Sequence, residues 1–106
     1  MYRASTPTFT FTLPFDIDTI ADCVITFDQD DENILEKTMD DIIIDETAKT
    51  LSVQLTQTET LLFETGKANV QVNILTAEDK RIASTIQKFK VYENLHEDIM
   101  GEETDE

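Results

Sequence analysis

The sequence has little of the residue types that build redox, metal and nucleophilic sites. Among its 106 residues there is one cysteine, Cys23, one histidine, His96, and no tryptophan. A single cysteine cannot form an intrachain disulfide, so nothing indicates an oxidising compartment. A single histidine near the end of the chain argues against a histidine-rich metal site and against a histidine–nucleophile pair. We therefore expect no cofactor and no enzymatic activity.

Basic residues and long apolar runs are also scarce. The chain has 8 Lys and Arg against 23 Asp and Glu, a formal net charge of −15. Such a surface repels phosphates and anionic lipid headgroups, so we expect neither a nucleic-acid nor a membrane partner. The longest apolar runs have three residues, as in 42–44, and the first residues lack the apolar core of a signal peptide. We expect the protein in the cytoplasm, or in an assembly that is built there.

What the sequence does contain is the two-residue period of half-buried β-strands. Sixteen threonines favour strands, because β-branched side chains fit a pleated surface. Seven short segments, separated by turn signals, are predicted as strands, most of them with this alternation: 8–13, 21–29, 34–37, 42–44, 51–55, 68–75 and 80–91. This spacing predicts a mainly β protein, with a β-sandwich of about seven antiparallel strands as the first choice and a small open barrel as its rival.

One short helix is predicted between two of these strands. Thr56 and Glu59 have the spacing of a capping box, in which each side chain binds a free backbone N–H at the helix start. A turn or two of helix should follow through Leu61, Leu62 and Phe63. Gly66 can end it in a left-handed conformation, which makes Gly66-Lys67 a helix stop rather than part of a phosphate-binding loop.

The last part of the chain changes its period. Residues 80–91 alternate only if one residue is inserted between Ile86 and Phe89, which predicts a β-bulge. Beyond them, Val91, Leu95 and Ile99 are four residues apart and would share one side of a short C-terminal helix. We expect one sandwich domain over 1–92, with a net charge of −8, and an acidic helix and tail over 93–106 that holds seven acids and no Lys or Arg.

Two groups of residues are candidate sites. The acidic hairpin Asp28–Glu36 superficially resembles a calcium loop, but an EF-hand loop counted from Asp28 would need glycine where Asn33 stands and a bidentate acid where Met39 stands. Whether this hairpin binds a cation stays open. Val91, Leu95 and Ile99 are the candidate partner contacts, and the sequence leaves open whether they pack on the protein's own sandwich or on a neighbouring subunit.

The order of segments resembles a family of small, mostly uncharacterised proteins encoded in bacteriophages and prophages of Gram-positive gut bacteria. The resemblance covers about residues 6–100. It is carried mainly by FTLPFDID, by the ITF-x-Q strand from Ile25 to Gln29, and by LTQTETLLF. It implies an immunoglobulin-like sandwich from a structural or accessory phage gene set, and it implies no catalytic residues.

These observations favour a non-enzymatic structural or interaction module that is a phage accessory or virion-associated protein. Its expected partners are further copies of itself or other virion proteins. The alternative is an acidic protein that mimics DNA and inhibits a nucleic-acid-binding host protein, which the charge of −15 motivates.

Overall fold

The computed structural model describes residues 1–14, 20–84 and 86–101. Within them the chain forms eight strands, which are β1 (Thr8–Thr12), β2 (Ile20–Gln29), β3 (Glu32–Thr38), β4 (Ile43–Asp45), β5 (Thr50–Gln54), β6 (Gly66–Thr76), β7 (Arg81–Ala83) and β8 (Gln87–Val91). A 3₁₀ turn (Met39–Asp41) precedes β4, and one helix, α1 (Gln57–Thr60), connects β5 to β6. None of the helices in these ranges is long and apolar enough to cross a membrane.

The strands form two antiparallel sheets, which confirms the predicted mainly β, immunoglobulin-like sandwich. One sheet has three strands in the order β1-β5-β4. The other has five strands in the order β3-β2-β6-β7, and β8 also pairs with β6. Because β2 occupies the other side of β6, β7 and β8 lie end to end along one edge, so the larger sheet is four strands wide.

The inward positions of the alternating segments form the core, as the two-residue period predicts. Phe9 on β1 packs with its ring centroid 5.2 Å from those of Phe27 on β2 and Phe89 on β8, which joins the two sheets. Phe63, from the loop after α1, completes this aromatic cluster. The other large side chains that are fully buried include Ile25, Leu51, Val53, Leu55, Val72 and Val91.

The irregularity predicted near the end of the chain is present, slightly earlier than expected. Val70 of β6 pairs with Gln87, whereas Asn73 pairs with Ala83. The two pairs are three residues apart on β6 but four residues apart on the opposing segment, so the register shifts by one residue between them. The single predicted strand over 80–91 is accordingly divided into β7 and β8.

The predicted capping box is present, but the helix that it starts is shorter than expected. Thr56 accepts a hydrogen bond from the Glu59 N–H, and Glu59 accepts one from the Thr56 N–H. After α1 the backbone forms i→i−3 hydrogen bonds, as in a 3₁₀ turn, including one from the Phe63 N–H to the Thr60 carbonyl. This turn places Phe63 in the core. Gly66 is not the helix stop that we predicted, since it begins β6 with a φ of 135°.

The predicted C-terminal helix is not formed over residues 92–101, which follow an irregular path. Side chains of this segment bind Arg3 of the N-terminal arm, and the Met100 backbone binds the Gln57 side chain of α1, instead of continuing an α-helical ladder. The predicted connection over 15–19 and the tail residues 102–106 lie outside the described residues.

Candidate interaction surface

The three predicted contact residues occupy different environments. Val91 belongs to β8 and is 2% exposed, because it points into the core. Leu95 is 100% exposed and Ile99 is 43% exposed on the irregular segment that follows. The structure therefore assigns Val91 to the sandwich and leaves Leu95 and Ile99 at the surface.

Arg3 holds this C-terminal segment to the end of the sandwich. Its guanidinium lies 2.5 Å from a carboxylate oxygen of Glu97 and donates to the carbonyl oxygens of Leu61 and Phe63 in the loop after α1. The carbonyl of Arg3 accepts a hydrogen bond from the side-chain amide of Asn94. One arginine thus connects the N-terminal arm, the α1 loop and the C-terminal segment.

Further contacts fix the path of the same segment. Tyr2 and Tyr92 form a parallel bridge and their rings pack with centroids 5.2 Å apart. At the far end, Gln57 of α1 donates to the carbonyl of Met100 and accepts from its N–H, each at 2.9 Å. The backbone of this segment is therefore anchored at both ends, although it has no regular secondary structure.

Several apolar side chains remain exposed on and around this anchored segment. We call them the apolar end, and they are Tyr2, Leu62, Tyr92, Leu95, Ile99 and Met100. Sequence periodicity identified only Leu95 and Ile99. The others come from the N-terminal arm, from the loop after α1 and from irregular chain, and no local pattern places them together.

The acidic hairpin connects β2 and β3 of the larger sheet. Asp30 and Asp31 form its two-residue turn with φ values of 56° and 67°, the left-handed geometry typical of tight hairpins. Asp28 accepts from the Asn69 amide and Glu36 from the Thr26 hydroxyl, so both carboxylates have protein donors. Among the described residues, no group of three or more Asp, Glu, His or Cys is arranged to hold a metal ion.

Cys23 lies on the core side of β2, as its position in the alternation predicts. Its side chain is buried and its Sγ lies 3.4 Å from Sδ of Met39. Burial, and to a lesser extent the neighbouring Asp22 carboxylate, raises the pKa of the Cys23 thiol. A buried thiol that resists ionisation is a poor nucleophile.

A shallow cavity of about 310 Å³ lies on the outer face of the larger sheet. Its lining includes Asp22, Glu36, Asn73 and Arg81, with Arg81 donating to the Asn73 side-chain oxygen. The charged groups of both signs make this a solvated depression. It has no arrangement of nucleophile and base.

Comparisons with known proteins identify the architecture. No family model matches the sequence, and no curated protein matches it. The structure is similar to the crystal structure of CopC from Methylosinus trichosporium OB3b, with a TM-score of 0.58 and 14% identity over 90% of this chain and 87% of CopC. It also aligns with the V domain of amphioxus IgVJ-C2, with a TM-score of 0.36 and 11% identity over 87% of this chain and 95% of that domain. At this identity the similarity to CopC establishes the fold alone.

Proposed function

We propose that this protein is a non-enzymatic interaction module of phage or prophage origin that binds copies of itself or other virion proteins. The observation that carries the interaction role is the apolar end. There, Leu95 is fully exposed on a segment whose path is held by Arg3 and Gln57. The phage origin, with assembly in the cytoplasm, is supported by the sequence resemblance over residues 6–100.

The anchoring makes the exposed side chains effective as a contact surface. Covering one leucine side chain is worth about 1.5–3 kcal/mol. A segment already fixed in place loses less conformational entropy on binding than a free tail does. The ion pair of Arg3 with Glu97 and the hydrogen bond of Gln57 with Met100 thus fix the segment that carries Leu95 and Ile99 before a partner binds. A further copy is the simplest partner, because most soluble oligomers contain identical subunits.

Sedimentation velocity of the full chain over a range of concentrations tests this role. We expect concentration-dependent association that the double variant L95D/I99D weakens at least about tenfold, since it introduces charge at the contact. I43D is the matched control, because Ile43 is an equally apolar, exposed side chain on β4, away from this end. A wild-type protein that stays monomeric at millimolar concentration contradicts self-association, and equal effects of both variants contradict the assignment to the apolar end.

The alternative role, inhibition by DNA mimicry, is favoured by one observation. The β2–β3 hairpin concentrates exposed carboxylates at Asp30, Asp31, Glu32 and Glu36. Titration with a basic nucleoid protein and a DNA competitor tests this role. Displacement of DNA that is lost in E32K/E36K and at high salt would support it, whereas unchanged DNA binding would exclude it for that protein.

A further inference from the structure

The few basic residues of this acidic chain are distributed unevenly. Arg3 and Lys37 form ion pairs with Glu97 and Glu59. Five of the remaining six bases are exposed on or beside the edge of the larger sheet formed by β7 and β8, and they are Lys67, Lys80, Arg81, Lys88 and Lys90. Between Lys80 and Lys90 the sequence contains no acid. The edge from Lys80 to Lys90 is therefore positive in a protein with a net charge of −15, although Glu78 and Asp79 stand in the turn before it.

This edge also exposes apolar side chains. Ile82 is 41% exposed and Ile86 is 60% exposed, and Arg81 and Lys88 lie beside them. The N-terminal arm covers only the last part of β8, where the Met1 amine binds the Lys90 carbonyl oxygen and the bridge to Tyr92 follows. We call the remainder, residues 80–84 and 86–88, the basic edge.

The opposite edge of the same sheet has the complementary pattern. It is formed by β3, which among the described strands pairs only with β2. Ile34 and Leu35 are half-buried there, and the exposed carboxylates of Glu32 and Glu36 flank them. We call residues 32–36 the acidic edge. Each edge thus has apolar side chains at its centre and charges of one sign around them.

The topology makes the two edges compatible in direction. Neighbouring strands alternate in direction across the four positions β3, β2, β6 and β7/β8. Since the number of positions is even, the two edges run in opposite directions. A second copy displaced sideways in the plane of the sheet would therefore present its β3 antiparallel to β7, with the outer faces of both sheets on the same side.

We propose that the acidic edge of one copy pairs with the basic edge of the next, which joins their larger sheets head to tail. This inference rests on the proposed self-association and adds a second surface to it. The pairing covers Ile82 and Ile86 with the half-buried side chains of β3 and places Arg81 and Lys88 near Glu32 and Glu36. Because the two edges are different surfaces, the contact repeats, and it produces a ring or a filament rather than a closed twofold dimer.

Charge reversal tests this pairing. R81E/K88E makes both edges acidic, and E32K/E36K makes both edges basic. Each variant alone should associate at least about tenfold more weakly than the wild type at low salt, because like charges then face each other. An equimolar mixture should recover the association, since every contact between the two variants again joins opposite charges. Circular dichroism melting curves establish that each variant is folded.

The mixture separates this inference from general charge effects and from the proposed function. Recovery in the mixture, but not in either variant alone, supports edge pairing. A mixture that stays monomeric overturns it. If the charge variants associate like the wild type while L95D/I99D does not, edge pairing is overturned and the interaction role of the apolar end stands. If the wild type itself is monomeric, edge pairing and the self-association part of the proposed function both fail.

Discussion

Lys37 and Glu59 connect the capping box of α1 to the edge of the larger sheet. The Lys37 Nζ lies 2.6 Å from one carboxylate oxygen of Glu59, and the other oxygen accepts the Thr56 N–H at 2.9 Å. Both side chains are mostly buried, with 10% and 16% of their surface exposed. Glu59 therefore caps the helix and neutralises a buried lysine at the same time.

This double role predicts unequal effects of substitution. E59A should lower the free energy of unfolding by about 2–4 kcal/mol, because it removes a cap and leaves Lys37 without its carboxylate. The double variant K37M/E59Q should be more stable than E59A, since no buried charge remains unpaired. Urea unfolding measures all three proteins. A loss of less than about 0.5 kcal/mol in E59A would contradict this role.

Gln29 should be the most sensitive polar residue on β2. Its side chain is buried, donates to the carbonyls of Glu64 and Lys67, and accepts the Glu64 N–H at 2.7 Å. Q29A should cost about 1–3 kcal/mol, because these part-buried backbone groups lose their partner. The exposed Gln87 is the control, and Q87A should change the urea midpoint little. Equal costs for the two variants would exclude this explanation.

Phe27 is fully buried in the aromatic cluster and contacts Phe9, Phe63 and Phe89. F27A should lower the free energy of unfolding by about 3–5 kcal/mol through lost burial and an unfilled cavity. F9A should cost less, because Phe9 is only half-buried. Thermal or urea unfolding can rank the two, and the reverse order would show that the cluster is organised around β1.

Cys23 should give a pH-dependent contribution to stability. Its folded-state pKa is raised by burial, so the folded protein retains the thiol proton at a pH where the unfolded chain has lost it. The resulting stabilisation is fully present below the unfolded pKa and is lost as the pH rises through the folded pKa. The difference in unfolding free energy between wild type and C23A should therefore be constant at neutral pH and shrink above about pH 8.5.

A thiol reagent checks the same burial independently. A colorimetric disulfide reagent at pH 8 should label the native protein slowly and the urea-unfolded chain rapidly, since only the exposed thiolate reacts. Rapid labelling of the native protein would place Cys23 at the surface.

Arg3 should control the order of the C-terminal segment. R3M removes the bonds to Glu97, Leu61 and Phe63, so amide hydrogen exchange over residues 94–100 should accelerate by roughly tenfold or more. R81M is the control for the hydrogen-exchange measurement alone, because Arg81 is exposed and donates to Asn73 but also belongs to the basic edge. If self-association depends on an anchored apolar end, R3M should weaken it as well. Unchanged exchange in R3M would show that Gln57 and Tyr2 hold the segment without Arg3.

The features that the sequence predicts well are those determined by neighbouring residues. The alternation of Val70, Val72 and Ile74 identifies a strand with one buried face, and the spacing of Thr56 and Glu59 identifies the cap. The one-residue slip near Ile86 is visible because any insertion reverses the faces of all residues that follow. These signals depend on the geometry of neighbouring residues, so they can be recognised in the sequence without knowledge of the fold.

The prediction of a C-terminal helix was wrong because a four-residue spacing of apolar residues contains no information about the distant groups that bind the segment. Glu97 is 94 residues from Arg3, and Met100 is 43 residues from Gln57. Their contacts replace the bonds that a short helix would make, and such a helix is marginal in water. The prediction that Gly66 ends a helix was wrong for the same reason. The helix α1 already ends at Thr60, and the buried Phe63 lies between its end and Gly66.

The sequence by itself determined the mainly β class, the inward and outward faces of its strands, the capped turn and the acidic character, and the two sheets of the structure decided for the sandwich over a small barrel. The tertiary structure alone decided which strands are edges, that the basic residues gather on one edge opposite the acidic β3, and that Leu95 is held at the surface. Periodicity and capping act between residues a few positions apart, whereas sheet order and the bonds of Arg3 join residues distant in the chain. Those long-range contacts place charged and apolar side chains together where a partner could meet them.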